Sequence, residues 1–293
     1  MGNKNNLGIL GGTSLKRTRP TDRAETSVNF KIFRYDSLKS DHVTFSSYDL
    51  KVLDRMTVLD ALLAIKEHLD PTLTFSYSCR MGLCGSCGVR VNGRERLACT
   101  TRIDTIGKHS IQLKPLNNLP IVRDLVTDFR PFFQNHSEIK PYVIRADVNV
   151  RENTEFEQSP KEVNSYLVFS GCIDCGLCFS ACPTNATDAI FLGPQALAQS
   201  YRFLADSRDD AYVERMEIID QPHSIWNCHF AGTCSAVCPK GVDPAFAIQQ
   251  LKSMALRKSN FMNHSVKAPL VERGTLPAGV TTASQDNHEA TSS

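Results

Sequence analysis

The spacing of hydrophobic residues divides the chain into two regions. From residue 28 to residue 120, hydrophobic and polar residues alternate in short runs, as around Phe30 and Ile32, which is typical of strands with one buried face. From residue 121 to residue 263, hydrophobic residues recur at intervals of three and four, which indicates helices. The pattern therefore predicts an α+β protein with an N-terminal sheet domain and a C-terminal all-α domain.

A helix and a hairpin are predicted within the sheet domain. Thr57 precedes a leucine-rich run and is followed three residues later by Asp60, an arrangement that caps the N-terminus of a helix. Further along, Asn92-Gly93 separates two short alternating runs, and this dipeptide favours the tight turn of a hairpin. Strands, one helix and a hairpin together indicate a small β-grasp domain.

Three segments lack a regular hydrophobic pattern. Residues 1–27 have no acidic residue before Asp22 and predict a flexible tail, with a mitochondrial presequence as the alternative. Residues 264–293 contain few hydrophobic residues and predict a disordered extension. The polar segment Arg145–Glu162 is interpreted as a surface excursion of the helical domain, or as a linker.

The composition is that of a globular protein, with one exception. A formal net charge of +2 gives no basic surface of the kind that nucleic-acid-binding proteins use. No hydrophobic run approaches the roughly 20 residues that span a bilayer. The exception is the eleven cysteines. Their odd number, their tight grouping and the absence of a signal peptide indicate metal-binding thiolates rather than disulfides.

Four cysteines of the sheet domain have the spacing C-x4-C-x2-C-x11-C. This is the plant-type ferredoxin pattern, in which four thiolates hold a 2Fe–2S cluster. Gly82, Gly85 and Gly88 permit the tight turns that aim backbone N–H groups at sulfur. A structural zinc site is the alternative, although zinc sites usually combine two C-x2-C pairs and this set has one. The predicted ligands are Cys79, Cys84, Cys87 and Cys99.

The helical region contains two copies of a second motif. The first copy, Cys172–Pro183, reads C-x2-C-x2-C-x3-C-P, a pattern whose fourth cysteine ligates the other cluster in two-cluster ferredoxins. The second copy, Cys228–Pro239, keeps this spacing, but Ala231 replaces the middle cysteine. Crosswise pairing predicts one site with four thiolates and one with three. The ligands are Cys172, Cys175, Cys178 and Cys238 for a 4Fe–4S cluster, and Cys182, Cys228 and Cys234 for the other site.

Ala231 leaves one corner of the three-thiolate site without a protein ligand. Since alanine has no donor atom, a 3Fe–4S cluster is the expected occupant. A 4Fe–4S cluster whose fourth iron keeps a solvent or non-cysteine ligand is the alternative. The three sets use every cysteine in the chain. No thiol remains for a nucleophile or a disulfide, which favours electron transfer over chemistry on this chain.

In this order, the motifs resemble the iron–sulfur subunit of the succinate dehydrogenase/fumarate reductase family, over about residues 28–260. Leu192-Gly193-Pro194 and Asp206–Asp209 add to the resemblance. It implies a plant-type 2Fe–2S ferredoxin domain followed by a helical ferredoxin domain. It also implies a flavoprotein partner with FAD that acts on succinate or fumarate, a membrane-anchor subunit and a quinone at the interface with that anchor. Electrons would pass between FAD and quinone through the 2Fe–2S, 4Fe–4S and 3Fe–4S clusters.

The resemblance also implies residues near the quinone. By motif position these are Pro183, His229 and Lys252, of which Lys252 would donate to a quinone carbonyl and His229 would be a proton-accessible contact. A solvated helix residue for Lys252 and a packed imidazole for His229 are the alternatives. Many succinate dehydrogenases carry tryptophans where this chain has Ala186 and Thr187, which leaves the quinone type and the reaction direction open.

The resemblance implies a peripheral position on the inner, cytoplasmic membrane, facing the cytoplasm of a bacterium or archaeon, with the mitochondrial matrix side as the alternative. Three other functions compete. An independent soluble electron carrier would need no three-thiolate site. A two-cluster subunit of another quinone-linked dehydrogenase would keep both cysteine quartets. A zinc-dependent structural or nucleic-acid-binding protein disagrees with the two C-P motifs and the balanced charge.

Overall fold

A computed structural model describes most of the chain between residues 26 and 259. The described residues are 26–36, 38, 40–107, 109–145 and 156–259. The predicted C-terminal tail and all but two residues of the predicted N-terminal tail lie outside them; Thr26 and Ser27 belong to the first strand. Residues 146–155 of the predicted surface excursion also lie outside them.

Within the described residues, seven strands form one mixed sheet. They are β1 (Thr26–Asp36), β2 (Ser40–Val52), β3 (Gly88–Val91), β4 (Arg94–Leu97), β5 (Ser110–Lys114), β6 (Ile121–Arg123) and β7 (Val126–Thr127). The order is β4-β3-β5-β1-β6-β7, and β2 also pairs with β1. Strand β1 is antiparallel to β2 and β6 but parallel to β5.

The alternation predicted for β1 places its hydrophobic residues in a core. Val28, Phe30 and Ile32 are at most 1% exposed. Helix α1 (Val58–His68) contributes Leu62 and its neighbours to the same core. Burial of such side chains is the main stabilising contribution to a domain of this kind. The sheet region therefore has a hydrophobic core of its own.

The predicted cap and hairpin are confirmed. The Asp60 N–H donates to Thr57 Oγ1, while the Asp60 carboxylate accepts the Thr57 N–H at 2.9 Å, so both halves of the capping box are present. Asn92 and Gly93 have φ angles of 49° and 79°, as the primed turn between two antiparallel strands requires.

The boundary predicted between residues 120 and 121 falls inside the sheet and must be moved. Asp36 of β1 is paired with Arg123 of β6, and β6 pairs in turn with β7. These last strands have three and two residues, too few for an alternating pattern to be visible in the sequence. The sheet region therefore extends to Thr127.

The described part of the C-terminal region contains eight α-helices. They are α2 (Arg130–Glu138), α3 (Pro160–Ser170), α4 (Leu177–Ser180), α5 (Pro183–Thr187), α6 (Pro194–Leu204), α7 (Tyr212–Ile219), α8 (Thr233–Ala236) and α9 (Pro244–Ser259). Leu197 of α6 and Leu251 of α9 are fully buried in a second core, as their spacing predicts. No helix in the described ranges is both long and apolar enough to cross a membrane.

The sheet and helical regions are joined by packing and by buried hydrogen bonds. Phe179 of α4 belongs to the core of the sheet region. Asn118 Nδ2 donates to the carbonyl oxygens of Phe179 and Cys182 at 2.9 and 3.1 Å. Ser180 Oγ donates to the buried Glu95 carboxylate at 2.9 Å. These contacts hold the cysteine-bearing segment of the helical region against the sheet.

Candidate metal centres

The loop at residues 79–88 gathers cysteines around backbone N–H groups. The N–H groups of Met81, Leu83 and Cys84 lie 3.4, 3.2 and 3.3 Å from Cys79 Sγ. In the opposite direction, the Cys79 N–H lies 3.4 Å from Cys84 Sγ. Such donors stabilise a thiolate and the sulfur of a metal ligand. The loop therefore provides the environment that its glycines predicted.

The four cysteines of this set differ in their surroundings. Hydrogen bonds, first from the Ser86 hydroxyl and then from backbone N–H groups, lower the pKa of the exposed Cys84 to about 6. Burial raises the pKa of Cys87 to about 12, while the Cys99 N–H opposes this rise and the Cys99 thiol adds to it. Cys99 follows β4, so the hairpin positions the last cysteine. The set brings four thiols to one place, which fits a 2Fe–2S cluster.

A pocket in the helical region collects the second set. Its lining includes all four sulfur-bearing residues of the predicted quartet, Cys172, Cys175, Cys178 and Cys238. Burial raises the pKa of Cys172 to about 12 and that of Cys175 to about 11. The pKa of Cys178 lies well above its usual value for the same reason. Buried thiols of this kind ionise when a cation compensates the charge, so the donor set fits an iron–sulfur cluster.

A second pocket collects the third set. Cys182, Cys228 and Cys234 line it together with Ala231. Burial raises the pKa of Cys182, against the effect of backbone N–H groups at the start of α5, and raises the pKa of Cys234 to about 11. The methyl group of Ala231 occupies the place where the first copy of the motif has Cys175. The pocket thus has three thiols, and at the fourth position of the motif it has a side chain without a donor atom.

The two pockets of the helical region are neighbours. The charge of Cys234, in the second pocket, contributes to the raised pKa of Cys178 in the first. Within the residues that the structure describes, no three Cys, His, Asp or Glu side chains are arranged to hold a single metal ion.

The three candidate quinone residues lie around the three-thiol pocket. Pro183 and His229 line it, and His229 is exposed at the surface. Lys252, half-buried on α9, donates from Nζ to the carbonyl oxygen of Cys228 at 2.9 Å. An ammonium has three donors, so two remain for other partners. The structure therefore brings all three residues to one end of the helical region.

Helix α5 carries the two positions that the sequence analysis compared with tryptophans. Ala186 and Thr187 form the last turn of that helix. Trp226 is half-exposed and donates from Nε1 to the Asp220 carboxylate at 2.7 Å. The indole is therefore oriented by an acidic residue of its own segment.

One polar group near the four-thiol pocket was not predicted. Gln195 lines this pocket, and its Nε2 lies 2.7 Å from Asp174 Oδ1 and 3.0 Å from His136 Nδ1. Its Oε1 is buried and has no hydrogen-bond partner among the described residues. Spacing of cysteines reveals sulfur ligands only, and these residues come from three separate segments. Asn118, which binds the Cys182 carbonyl, was missed for the same reason.

Both regions match known domain families. Residues 29–134 match the family model described as a 2Fe-2S iron-sulfur cluster binding domain. Residues 165–239 match the one described as a 4Fe-4S dicluster domain. The first match ends beyond the last strand of the sheet, in agreement with the sheet that extends to Thr127.

Several characterised proteins are similar over most of the chain. The fumarate reductase iron-sulfur subunit of Mycobacterium tuberculosis is 41% identical over 225 residues, which are 77% of this chain and 91% of the relative. The succinate dehydrogenase iron-sulfur subunit of Paracoccus denitrificans is 37% identical over 242 residues, covering 81% and 92%. A chain of the solved structure "Mycobacterium smegmatis Sdh1 complex in the apo form" shares the fold, with a TM-score of 0.74, 24% identity and coverage of 85% and 100%.

Proposed function

Because the chain belongs to the iron–sulfur subunits of the succinate dehydrogenase/fumarate reductase family, we propose that it relays electrons between the FAD of a flavoprotein partner and a membrane quinone. Bound 2Fe–2S, 4Fe–4S and 3Fe–4S clusters would supply the one-electron carriers. The residues of this chain hold, separate and shield the three sites. The chemistry on succinate or fumarate takes place on the partner.

The crosswise grouping of cysteines in the helical region carries this proposal. Cys238, from the second motif copy, lines the same pocket as Cys172 and its neighbours. Cys182, from the first copy, shares a pocket with Cys228 and Cys234. Exchange of one cysteine between two copies is the arrangement of two-cluster ferredoxins. By contrast, a zinc site usually takes its ligands from two C-x2-C pairs.

Ala231 supports a 3Fe–4S cluster in the three-thiol pocket. The residue lines the pocket at the position of the absent cysteine, and its methyl group has no atom that binds iron. A fourth iron at this corner would have no thiolate from this chain. A cluster with three irons needs only the thiolates that are present.

Contacts between the cysteine sets support the order of the relay. The 79–88 loop packs against Cys175 of the second set. Cys178 of the second set is close enough to Cys234 of the third to respond to its charge. The second set therefore lies between the other two, and electrons would pass from 2Fe–2S to 4Fe–4S to 3Fe–4S, or in reverse. We assign the sheet region to the plant-type β-grasp ferredoxins because a mixed sheet packed with one helix carries the C-x4-C-x2-C loop.

We assign the quinone end to the three-thiol pocket. Pro183 and His229 line it, and Lys252 keeps two N–H donors beyond its bond to the Cys228 carbonyl. The Lys252 charge also favours added negative charge on a cluster nearby. A membrane-anchor subunit would complete the quinone site and would hold the chain at the cytoplasmic face of the membrane.

A complex that works mainly as a quinol:fumarate reductase is the second candidate. Ala186 and Thr187 stand where many succinate dehydrogenases carry tryptophan. Fumarate reductase subunits also match this chain at 38–41% identity, against 36–37% for succinate dehydrogenase subunits. Both candidates use the same relay, in opposite directions.

Removal of one ligand of the first set tests the relay. In the purified complex, Cys79→Ala is expected to abolish the 2Fe–2S signal and the succinate–quinone reaction. Reduction of artificial acceptors that take electrons directly from the flavin is expected to remain unchanged. The exposed Ser76 precedes the loop, and Ser76→Ala serves as a matched control with both reactions intact. Normal quinone reduction by a Cys79→Ala complex that lacks the 2Fe–2S signal would rule out a linear relay.

A further inference from the structure

The cysteine loop of the sheet region lies directly against the segment that carries Cys175. A methyl group at Gly85 would lie 2.8 Å from Cys175 Cβ and 2.9 Å from both Cys175 Cα and the Ile173 carbonyl oxygen. Carbon atoms pack at about 3.5–4.0 Å. The backbones of the two cysteine-bearing segments are therefore in contact only because residue 85 has no side chain.

A second glycine of the same loop also lies against Cys175. A methyl group at Gly88 would lie 3.2 Å from the Cys175 carbonyl oxygen. Two glycines of the loop, Gly85 and Gly88, therefore form its contact with the segment that carries Cys175.

Backbone conformation alone does not account for glycine at position 85. Gly85 has a φ angle of 75°, but Arg80 in the same loop has a φ angle of 58° and carries a full side chain. Gly93 has a φ angle of 79° and has nothing within 4 Å of its missing methyl group. At Gly85 a left-handed backbone, which disfavours most other residues, is combined with a close approach to Cys175 that leaves no space for a methyl group.

We propose that Gly85 is a positioning residue for electron transfer between the first and second cysteine sets. The inference rests on the proposed function, in which these sets hold the 2Fe–2S and 4Fe–4S clusters. Gly85 directly follows Cys84 and touches Cys175, so one backbone contact joins a ligand of each set. One electron crosses this contact, so that one site is oxidised and the other reduced, and no bond is made or broken.

The contact controls the rate because electron transfer slows steeply as the separation grows. A methyl group at position 85 would move the two segments apart by roughly 0.7 Å or more. The two regions would stay docked, since Asn118 and Ser180 join them through separate hydrogen bonds. The substitution would therefore widen the gap locally without separating the domains.

The test compares Gly85→Ala with two glycines of similar backbone conformation, in the assembled complex. Gly82 lies in the same loop, with a φ angle of 71°, and its missing methyl group meets only the Thr100 side chain of its own domain. Gly93→Ala introduces a methyl group into open space at a left-handed position. After iron and sulfide analysis, the complex is fully reduced chemically, and the effect of the reduced 4Fe–4S cluster on the spin relaxation of the 2Fe–2S signal is measured.

Gly85→Ala is expected to keep both clusters, to weaken this spin interaction and to slow quinone reduction severalfold, with flavin-level reactions intact. Gly82→Ala is expected to alter the 2Fe–2S spectrum while keeping the spin interaction. Gly93→Ala is expected to match the wild type in its clusters, its spin interaction and its rate of quinone reduction. A Gly85→Ala complex with both clusters, a normal spin interaction and normal quinone reduction would overturn the proposal.

If Gly85→Ala fails to retain its 2Fe–2S cluster, Gly88→Ala provides a second test. Gly88 has no left-handed backbone, and its closest approach to Cys175 is milder. If Gly88→Ala then also loses the 2Fe–2S cluster, the glycines serve the loop itself and the proposal fails. Absence of the spin interaction from the fully reduced wild-type complex would instead contradict the proposed function. Failure of the Gly85 proposal and failure of the proposed function therefore give different results.

Discussion

The sheet region and the helical region present their cysteines in opposite ways. In the sheet region, the loop at residues 79–88 lies on a domain with its own buried core around Phe30 and Leu62. In the helical region, the cysteines line pockets bounded by α4, α5 and α8, which have only four or five residues each. Isolated helices shorter than about 12–15 residues are marginal in water. Both regions have a hydrophobic core, but the short helices beside the second and third cysteine sets are expected to depend more on bound clusters than the sheet does.

Ionisation of the thiols follows their exposure, since the buried Cys87 of the sheet region has a pKa raised to about 12. Hydrogen bonds lower the pKa of Cys84 to about 6, whereas burial raises the pKa of Cys172 to about 12. The hydrogen bonds to Cys84 favour its thiolate form, which is the form that binds iron. A buried thiol gives up its proton when iron replaces it, so cluster assembly is linked to proton release at Cys87 and at the buried thiols of the helical region.

Loss of one cysteine ligand should have the largest effect, and it should differ between the regions. Cys178→Ala is expected to remove the 4Fe–4S cluster and to unfold the segments around α4, α5 and α8. Cys79→Ala is expected to remove the 2Fe–2S cluster and leave the sheet region folded. Peptide-resolved hydrogen exchange measures how well the backbone amides of each region are protected in the two variants. If each variant lost the same amount of protection in its own region, the two regions would not differ in their dependence on clusters.

A buried arginine of the helical region should give the next largest effect. Arg215 is fully buried, donates to the Asp209 carboxylate at 2.7 Å and also donates to the carbonyl oxygens of Ile139, Lys140 and Tyr142. Removal of one partner of a buried ion pair costs about 3–5 kcal/mol. Arg215→Met is therefore expected to lower the free energy of unfolding of the helical region by that amount.

The matched change in the sheet region is Arg34→Met. Arg34 contacts Asp70 and Asp124, but 16% of its side chain is exposed, so its loss should cost less. Denaturation followed by peptide-resolved hydrogen exchange compares the two variants. If Arg34→Met lowered the free energy of unfolding as much as Arg215→Met does, the degree of burial would not explain how much each ion pair stabilises its region.

Acid should weaken the sheet region through Asp70. Desolvation opposes the effect, but hydrogen bonds from Thr72, Tyr48 and Arg34 hold the pKa of Asp70 well below its usual range. A carboxylate with a lowered pKa stabilises the fold above its unfolded value of about 3.9, and this contribution is lost as the pH falls further. Asp70→Asn should flatten the loss of stability below about pH 4. The exposed Asp54→Asn is the control, and equal slopes for the two variants would contradict the assignment.

The smallest effect concerns one capping box in each region. Thr57 and Ser159 both accept an N–H three residues on, from Asp60 and Glu162. Thr57→Ala and Ser159→Ala should each cost about 1 kcal/mol. Thermal unfolding should show the lower stability of Thr57→Ala as an earlier transition of the sheet region. A larger loss of stability from Ser159→Ala would indicate that the helical region depends more on local helix stability than on bound clusters.

Cysteine spacing predicted the groups in which the helical region brings its cysteines together, including the exchange of Cys182 and Cys238 between the two pockets. The role of these cysteines as cluster ligands stays a prediction. Alternation and capping likewise predicted β1 and α1. Strands β6 and β7 were missed, since two or three residues carry no periodicity. Gln195 and Asn118 were missed because only the fold brings them beside cysteine-bearing segments. The close approach of Gly85 to Cys175 likewise depends on how the two regions dock.

Low-temperature EPR of the oxidised complex, with iron and sulfide analysis, tests the crosswise relay most directly. We expect a 3Fe–4S signal in the oxidised wild type and signals of two further clusters on stepwise reduction. We also expect Ala231→Cys to convert the 3Fe–4S site towards a 4Fe–4S cluster. A wild type with no 3Fe–4S signal and two complete cubane clusters would contradict the open corner at Ala231, and with it the assignment of the quinone end.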